Sequence, residues 1–518
     1  MKNYGVIRTQ PPFVTSHQTK PASALFTLIQ VIICFILNTG MAANAQSVLS
    51  LQDCRNLALK NNKQLKIGQE NITKASEENK AAFTQYLPDI SLSGAYLYNQ
   101  KKLSLLNGDK FLPIGTVMPD GSFGFTPEQI SNSWTMIEGN PVPLDVNGNP
   151  FNPSSEPDKI RWKEHAIIPQ KEFEMDIHNI FMGNISLVQP IFMGGKIAAY
   201  NKITQYAEEL AHTLNDTGVQ EVILQTDQAY WQTVSLVNKQ TLSVNYISLL
   251  RQMDHDVQAM ITEGVATRAE GLSVRVKLNE AEMTLTQVEN GLQLSRMQLC
   301  RLCGLPLDEP VVLSDEQAGS IPTGEYAPAG GVDEAFANRS ELKSLDLATR
   351  IYEKKEAVAL ADMLPTVALT GNYMVTNPNS YNGFQNKFAG SWHMGVLINV
   401  PVFHWGEKQH KLRAAKAETR IRQLELDEAR EKIELQVNQA AFKLKEAQKK
   451  LVAADKNRES ADENLRYANA GFREGVIPSL NVMEAQTAWY KAESELIDAK
   501  ITVRLSESEM EKVLGMKK

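Results

Sequence analysis

The stretch Gln189-Pro190-Ile191-Phe192-Met193-Gly194-Gly195-Lys196 returns 211 positions later as Val400-Pro401-Val402-Phe403-His404-Trp405-Gly406-Glu407. Working outward, the same spacing of 211 relates Leu187 to Ile398, Glu263-Gly264-Val265 to Glu474-Gly475-Val476, and Gly304 to Gly515. Upstream the spacing becomes 277: Asn61-Asn62 with Leu65, Leu87-Pro88, Leu92, Gly94 and Tyr96 match Asn338-Arg339 with Leu342, Leu364-Pro365, Leu369, Gly371 and Tyr373. So many anchors at two constant spacings mark an internal duplication. The spacings differ by 66, so the first copy carries 66 extra residues between Tyr96 and about Gly183. The copies are bounded as 46–305 and 332–518, with 306–331, rich in proline and glycine, as the linker between them.

Each copy reads as short helix, strand, strand, long helix, sharp turn and short helix. In the second, Ile433, Val437, Ala440, Leu444, Ala447, Leu451, Ala454, Ala461, Leu465, Ala468 and Phe472 alternate steps of four and three, broken only at Arg458, which is a coiled-coil seam. The first copy shares the phase through Val222, Ala229, Leu236, Ile247, Leu250, Val257 and Ile261, with interruptions at Thr226, Thr233, Gln240, Ser243 and Asp254. Residues 196–262 and 407–473 are each 67 long, about 100 Å of helix at 1.5 Å per residue. The short helices, about 51–86 and 268–303, have 36 residues each, so two end to end match one long helix. Gly264 and Gly475 suit the reversals because glycine accepts positive φ at a helix end, and Pro478 suits the first turn of the helix that follows.

The segments between alternate with period two: Ile90, Leu92, Gly94, Tyr96 and Tyr98 share one face, as do Val367, Leu369, Gly371 and Tyr373. Their partners are expected at 184–189 and 392–400. Pro190 and Pro401, lacking an N–H, are each expected to end a strand, with Gly195 and Gly406 letting the chain swing into the helix direction. Four strands cannot close a barrel, for which eight is the practical minimum, so membrane insertion would demand an oligomer.

The N-terminus indicates export. Arg8 and Lys20 precede an apolar run from Leu25 to Leu37, and Ala43 and Ala45 stand in an A-x-A arrangement, so residues 1–45 read as a signal peptide cut between Ala45 and Gln46. Thirteen apolar-run residues span only about 20 Å, short of a bilayer core. The whole chain of 518 residues carries 53 Lys and Arg against 60 Asp and Glu, and removing the leader makes the charge −10, which disfavours a nucleic-acid partner. At 43% hydrophobic and 22% charged the chain is too polar for a bundle of membrane helices and too apolar for disorder.

In this order the residues resemble the TolC family of outer-membrane efflux proteins, over nearly all of the mature chain. The resemblance rests on the duplication, on Leu87-Pro88 and Leu364-Pro365, on the two strand-to-helix joints, and on Glu474-Gly475 ahead of Leu480 and Met483. It implies a mainly α fold with a small β part. Three chains would form a homotrimer, with long duplicated helices in an α-barrel tunnel and four strands per chain in one 12-stranded transmembrane β-barrel embedded in outer-membrane lipid. It further implies a passive conduit, served by an inner-membrane pump and a periplasmic adaptor, without cofactors. In the family, acidic side chains near the second turn narrow the pore. The corresponding positions here are Asn481 and Glu484, with Glu270 and Ser273 in the first copy; Glu484 is the candidate for a ring of three carboxylates, and Phe472 matches an aromatic of the gate. Ile477 stands where the best-known members place a latching Arg.

The 66 extra residues, in about 99–182, hold nine prolines and six glycines and read as a long loop, expected at the cell surface. Cys300-x-x-Cys303 has no second cysteine pair, and Cys303 aligns with apolar Leu514, so these cysteines and Cys54 read as small buried hydrophobes rather than a metal or redox site. No H-E-x-x-H, nucleophile elbow, phosphate loop or dinucleotide fingerprint occurs, so no enzyme is expected. Two alternatives stand beside the efflux conduit: a soluble periplasmic coiled-coil adaptor or scaffold, and a conduit whose cargo is a polypeptide of a type I secretion system.

Overall fold

The computed structural model describes residues 48–124, 126–316, 321, 330–379, 381 and 385–516. The expected signal peptide, its cleavage point at Ala45 and Gln46, and much of the expected linker lie outside the described residues. The chain divides into two compact units.

One unit gathers the described residues before Ile72 with His212–Lys343 and Asp427–Lys518. Strand β1 (Val48–Leu49) leads through Ser50, whose side chain forms a capping box with Asp53, into helix α1 (Leu51–Asn61). Helix α2 (Lys63–Thr84) follows after one residue. The single helix expected over 51–86 is therefore two. The break is at Asn62, which is buried and extended at φ −59° and ψ 129°; Arg339 breaks α5 (Val332–Asn338) from α6 (Ser340–Ala361) in the same way, at φ −69° and ψ 121°. Packing explains both breaks. Gly304, at φ +70°, presses so close that a Cβ there would lie 2.4 Å from Asn61 Cβ, and Gly515, at φ +73°, would meet Asn338 Cβ at 2.9 Å.

The long helices α3 (Lys196–Thr262) and α7 (Glu407–Arg473) have the expected bounds, and the short helices α4 (Arg268–Cys303) and α8 (Ser479–Val513) follow them. Ile433, Val437, Ala440, Leu444, Ala447, Leu465 and Ala468 of the seam are buried. The main core of this unit joins Cys54, Tyr230, Trp231, Val234, Leu299, Cys300, Cys303, Leu313 and Ile501. Beside it the buried Asp227 carboxylate accepts two bonds from the Arg55 guanidinium, at 2.6 and 2.8 Å, and one from the Ser508 hydroxyl at 2.9 Å. A charge without exposed surface needs such complete pairing.

The other unit comprises Ile72–Ala211 and Ser344–Leu426. Its centre is an antiparallel sheet of β2 (Asp89–Tyr98), β3 (Asn179–Phe192), β5 (Thr366–Asn377) and β6 (Ala389–Asn399), in the order β6-β5-β3-β2; β4 (Val312–Leu313) instead pairs with β1 in the first unit. Ile185 faces Leu92 on one side and Tyr373 on the other, and Tyr373 faces Trp392. Strand β3 is longer than expected and passes through Pro190, which pairs with Ala368 ahead of a register shift at Phe192. Pro190 therefore does not end its strand, because the bulge takes up the missing N–H. Pro401 does lie beyond the end of β6 at Asn399, as expected.

The segment 99–182 is not the long loop expected. It contains antiparallel pairs: 103–104 with 174–175, 110–113 with 165–168, 116–117 with 123–124, and 134–137 with 140–143. Asn132 ties them inward, donating to the Leu144 and Lys159 carbonyls and accepting from the Arg161 N–H, beside buried Ile130 and Phe151. The glycines that suggest a loop serve as turns, with Gly121, Gly139 and Gly148 all at φ near +80°.

Candidate functional site

The two helix reversals are built alike. Helix α3 ends ahead of Gly264, at φ +77°, where the N–H groups of Val265 and Ala266 both donate to the Met260 carbonyl, at 2.9 and 3.3 Å. Helix α7 ends ahead of Gly475, at φ +73°, where Val476 and Ile477 both donate to the Gly471 carbonyl, at 2.9 and 3.1 Å. The starts of the next helices differ. Thr267 caps α4 by accepting from the Glu270 N–H at 3.3 Å, whereas Pro478 stands at the cap of α8 and offers no side-chain bond.

Beneath the turns, Met253, Val257, Val274, Leu465, Ala468, Val482, Met483 and Ala485 form one apolar cluster, with Phe472, Ile477 and Trp489 packed against it. Phe472 and Ile477 are thus packing residues here. Ile477 also covers Gly471, where a Cβ would lie 2.6 Å from Ile477 Cδ1. The structure brings Glu270 to the second turn: its Oε2 accepts from the Ser479 hydroxyl at 3.4 Å. Asn481 and Glu484 stand apart from that contact, both exposed and one turn apart on α8. A carboxylate in that setting is available to ions or to a second chain, whereas Glu270 is partly committed within its own.

Sequence reasoning misses a set of polar ties between the helices. The Tyr246 and Tyr490 rings stack at 4.5 Å, the Ser243 and Tyr490 hydroxyls share a hydrogen bond of 3.0 Å, and the Tyr246 and Thr487 hydroxyls share one of 3.1 Å. Burial pushes the Tyr246 phenol above its ordinary value. Arg275 donates to Asp254 at 3.2 Å, the Thr233 and Ser295 hydroxyls meet at 2.7 Å, and Lys239 pairs with Asp498 at 2.7 Å. The signal was present: Thr233, Ser243 and Asp254 are among the positions that interrupt the first seam, and each of these three makes an interhelical bond.

At the strand-to-helix joints of the sheet unit, Gly194 and Gly195 take φ of +63° and +82°, and Trp405 and Gly406 take +48° and +80°. The Lys196 N–H closes on the Met193 carbonyl at 3.0 Å and the Glu407 N–H on the His404 carbonyl at 2.9 Å, so both joints make the same turn. Only glycine fits at 194, where a Cβ would lie 2.7 Å from the Ala361 carbonyl. Leu92 and Trp392 are 79% and 71% exposed on the sheet, so its apolar side chains have no cover within the chain. No helix among the described residues is long and apolar enough to cross a membrane, and no three His, Cys, Asp or Glu side chains among them are grouped to hold a metal.

Residues 331–516 match the family model described as outer membrane efflux protein. The chain is 22% identical over 294 residues to the probable efflux pump outer membrane protein TtgC and to the antibiotic efflux pump outer membrane protein ArpC, both of Pseudomonas putida, covering 56% of this chain and 58% of each relative. It therefore spans a little over half the length of these curated relatives. Among solved structures, the Campylobacter jejuni CmeC outer membrane channel is similar with a TM-score of 0.68 at 15% identity, over 90% of this chain and 85% of that one. The outer-membrane channel OprN is similar with a TM-score of 0.67 at 15% identity, over 90% and 89%.

Proposed function

We propose that this chain is a member of the outer membrane efflux protein family of TolC-like channels and the outer-membrane component of a tripartite efflux pump in a Gram-negative bacterium. It carries no catalytic step and gives substrates a path outward, while an inner-membrane pump supplies the energy and a periplasmic adaptor joins the two. The observation that carries this reading is the open four-stranded sheet with one uncovered apolar face, set in the same chain as two 67-residue helices. Exposed apolar strands with unpaired edges are a liability in water. Lipid on the outer face and neighbouring copies at β2 and β6 remove it, and three copies give the 12 strands that a closed barrel can use.

Export with cleavage after Ala45 and a periplasmic pore narrowed by a ring of Glu484, next to Asn481 and near the Glu270–Ser479 contact, complete the proposal. Three carboxylates around a threefold axis would favour cations. The relatives' names, antibiotic and toluene efflux pump proteins, support small apolar or amphipathic cargo over a secreted polypeptide. Fractionation of the host, with the detergent-extracted protein sized by light scattering corrected for bound detergent, tests the reading. A trimer from the outer membrane is expected. A water-soluble periplasmic monomer or dimer would replace the channel by the scaffold alternative.

A further inference from the structure

Cys54, Cys300 and Cys303 lie in one apolar cluster, each without exposed surface. Their thiols have different partners. Cys300 directs its sulfur to the Glu309 carbonyl at 3.8 Å, whereas Cys303 Sγ lies 3.6 Å from the Cys54 carbonyl. The neighbouring Cys303 thiol, together with burial, pushes the Cys54 thiol up, while Cys54 holds the Cys303 thiol below its ordinary value against the effect of burial. The surrounding backbone is fixed, because Asn61 Nδ2 donates to the Cys303 carbonyl at 3.1 Å and Gly304 leaves no room for a side chain against Asn61. Helices α1 and α4 therefore meet with these two cysteines at their contact.

We propose that Cys54 and Cys303 are joined by a disulfide in the exported protein, a covalent tie across 249 positions between the first and last helices of the first copy. The proposal rests on the export argued above, since such bonds persist in oxidising compartments. Cys300 is the weaker partner: its sulfur is directed to the Glu309 carbonyl rather than to Cys54 or Cys303, and side chains three positions apart on a helix have Cβ atoms about 5–6 Å apart, wider than the roughly 3.5–4.5 Å that a disulfide favours. In the second copy the equivalent positions are Gly331 and Leu514, so the tie is confined to the first.

The oxidant is the disulfide of a thiol-disulfide oxidoreductase, acting before the core closes over the sulfurs. The Cys303 thiol loses its proton and its sulfur attacks one sulfur of the donor, forming a mixed disulfide and releasing one donor thiol. Cys54 then loses its proton and attacks the Cys303 sulfur of that mixed disulfide. This forms the Cys54–Cys303 bond and expels the second donor thiol, so the chain loses two electrons and two protons and the donor gains them.

Outer membranes prepared and denatured in N-ethylmaleimide, then digested without reductant for mass spectrometry, decide the matter. The expected result is a linked pair of peptides bearing Cys54 and Cys303, with Cys300 carrying the label; Cys300→Ala keeps the link and Cys54→Ala exposes Cys303 to label. Label on both Cys54 and Cys303 in protein recovered from the outer membrane would overturn the disulfide and leave the channel reading intact. A Cys300–Cys303 link would overturn it too. Protein found only in the cytoplasm with every thiol labelled would overturn the export reading and the disulfide with it.

Discussion

Single residues in this chain are held by contacts whose loss has a calculable sign. The Asp227 carboxylate has no exposed surface and three donors, so Asp227→Ala leaves Arg55 part-buried without its partner. Breaking such a pair costs about 3–5 kcal/mol, which the guanidinium unfolding midpoint of the purified protein should register. A second pair predicts pH dependence. Burial alone would raise the Glu341 carboxyl, but the hydrogen bond and charge of Arg339, at 2.8 Å, bring it below its ordinary 4.5. A depressed carboxyl stabilises fully above that ordinary value and loses the contribution as pH falls through the lower folded value. Stability should therefore drop on acidification below about pH 4.5, and Glu341→Gln should flatten that part of the profile. At the joints, Gly406→Ala should cost about 1–2 kcal/mol for a left-handed alanine, and Gly194→Ala should cost more because its Cβ also meets the Ala361 carbonyl at 2.7 Å.

At the scale of elements, helix bounds are set by periodicity and by the glycines that stop it. That is why 196–262, 268–303 and 407–473 were legible: each run of apolar steps ends at a residue that takes positive φ, Gly264, Gly304 or Gly475. The breaks at Asn62 and Arg339 were not legible, since neither residue type interrupts a helix by itself. They arise where a glycine-capped helix end, at Gly304 or Gly515, presses on the chain. The extra segment was misread for the opposite reason: turn residues were visible, while the short strands between them carry too few residues for a period to register. The seam interruptions carry a prediction of their own. If Ser243 and Tyr490 hold α3 to α8 through their 3.0 Å bond, the double-mutant cycle of Ser243→Ala with Tyr490→Phe should show a coupling of about 0.5–1.5 kcal/mol. Additive losses would mean that the stacked rings alone join the helices.

For the whole molecule, the open edges β2 and β6 tie the proposed channel function to association. A charge at an apolar, lipid-facing position of such a sheet costs about 2–4 kcal/mol near the bilayer midplane. Leu92→Arg, at a position 79% exposed, should therefore reduce recovery of trimer from the outer membrane, as read on unheated gels. The proposed pore ring is tested separately: Glu484→Gln should weaken block of single-channel current by multivalent cations without changing trimer yield. Unchanged block would move the constriction away from Glu484.

The amino-acid sequence by itself determined the two copies, the long helices and their turning points, and which short segments alternate as strands, because each of these is a repeat along the chain that local geometry converts into structure. It also carried the family resemblance. Only the tertiary structure decided which polar and sulfur-bearing residues meet: Arg55 with Asp227, Ser243 with Tyr490, Glu270 with Ser479, and Cys54 with Cys303. These partners are 172 to 249 positions apart. Nothing in a side chain's own identity names a partner at such a distance; that choice follows from the rotation and register of whole helices, which packing against the rest of the chain settles.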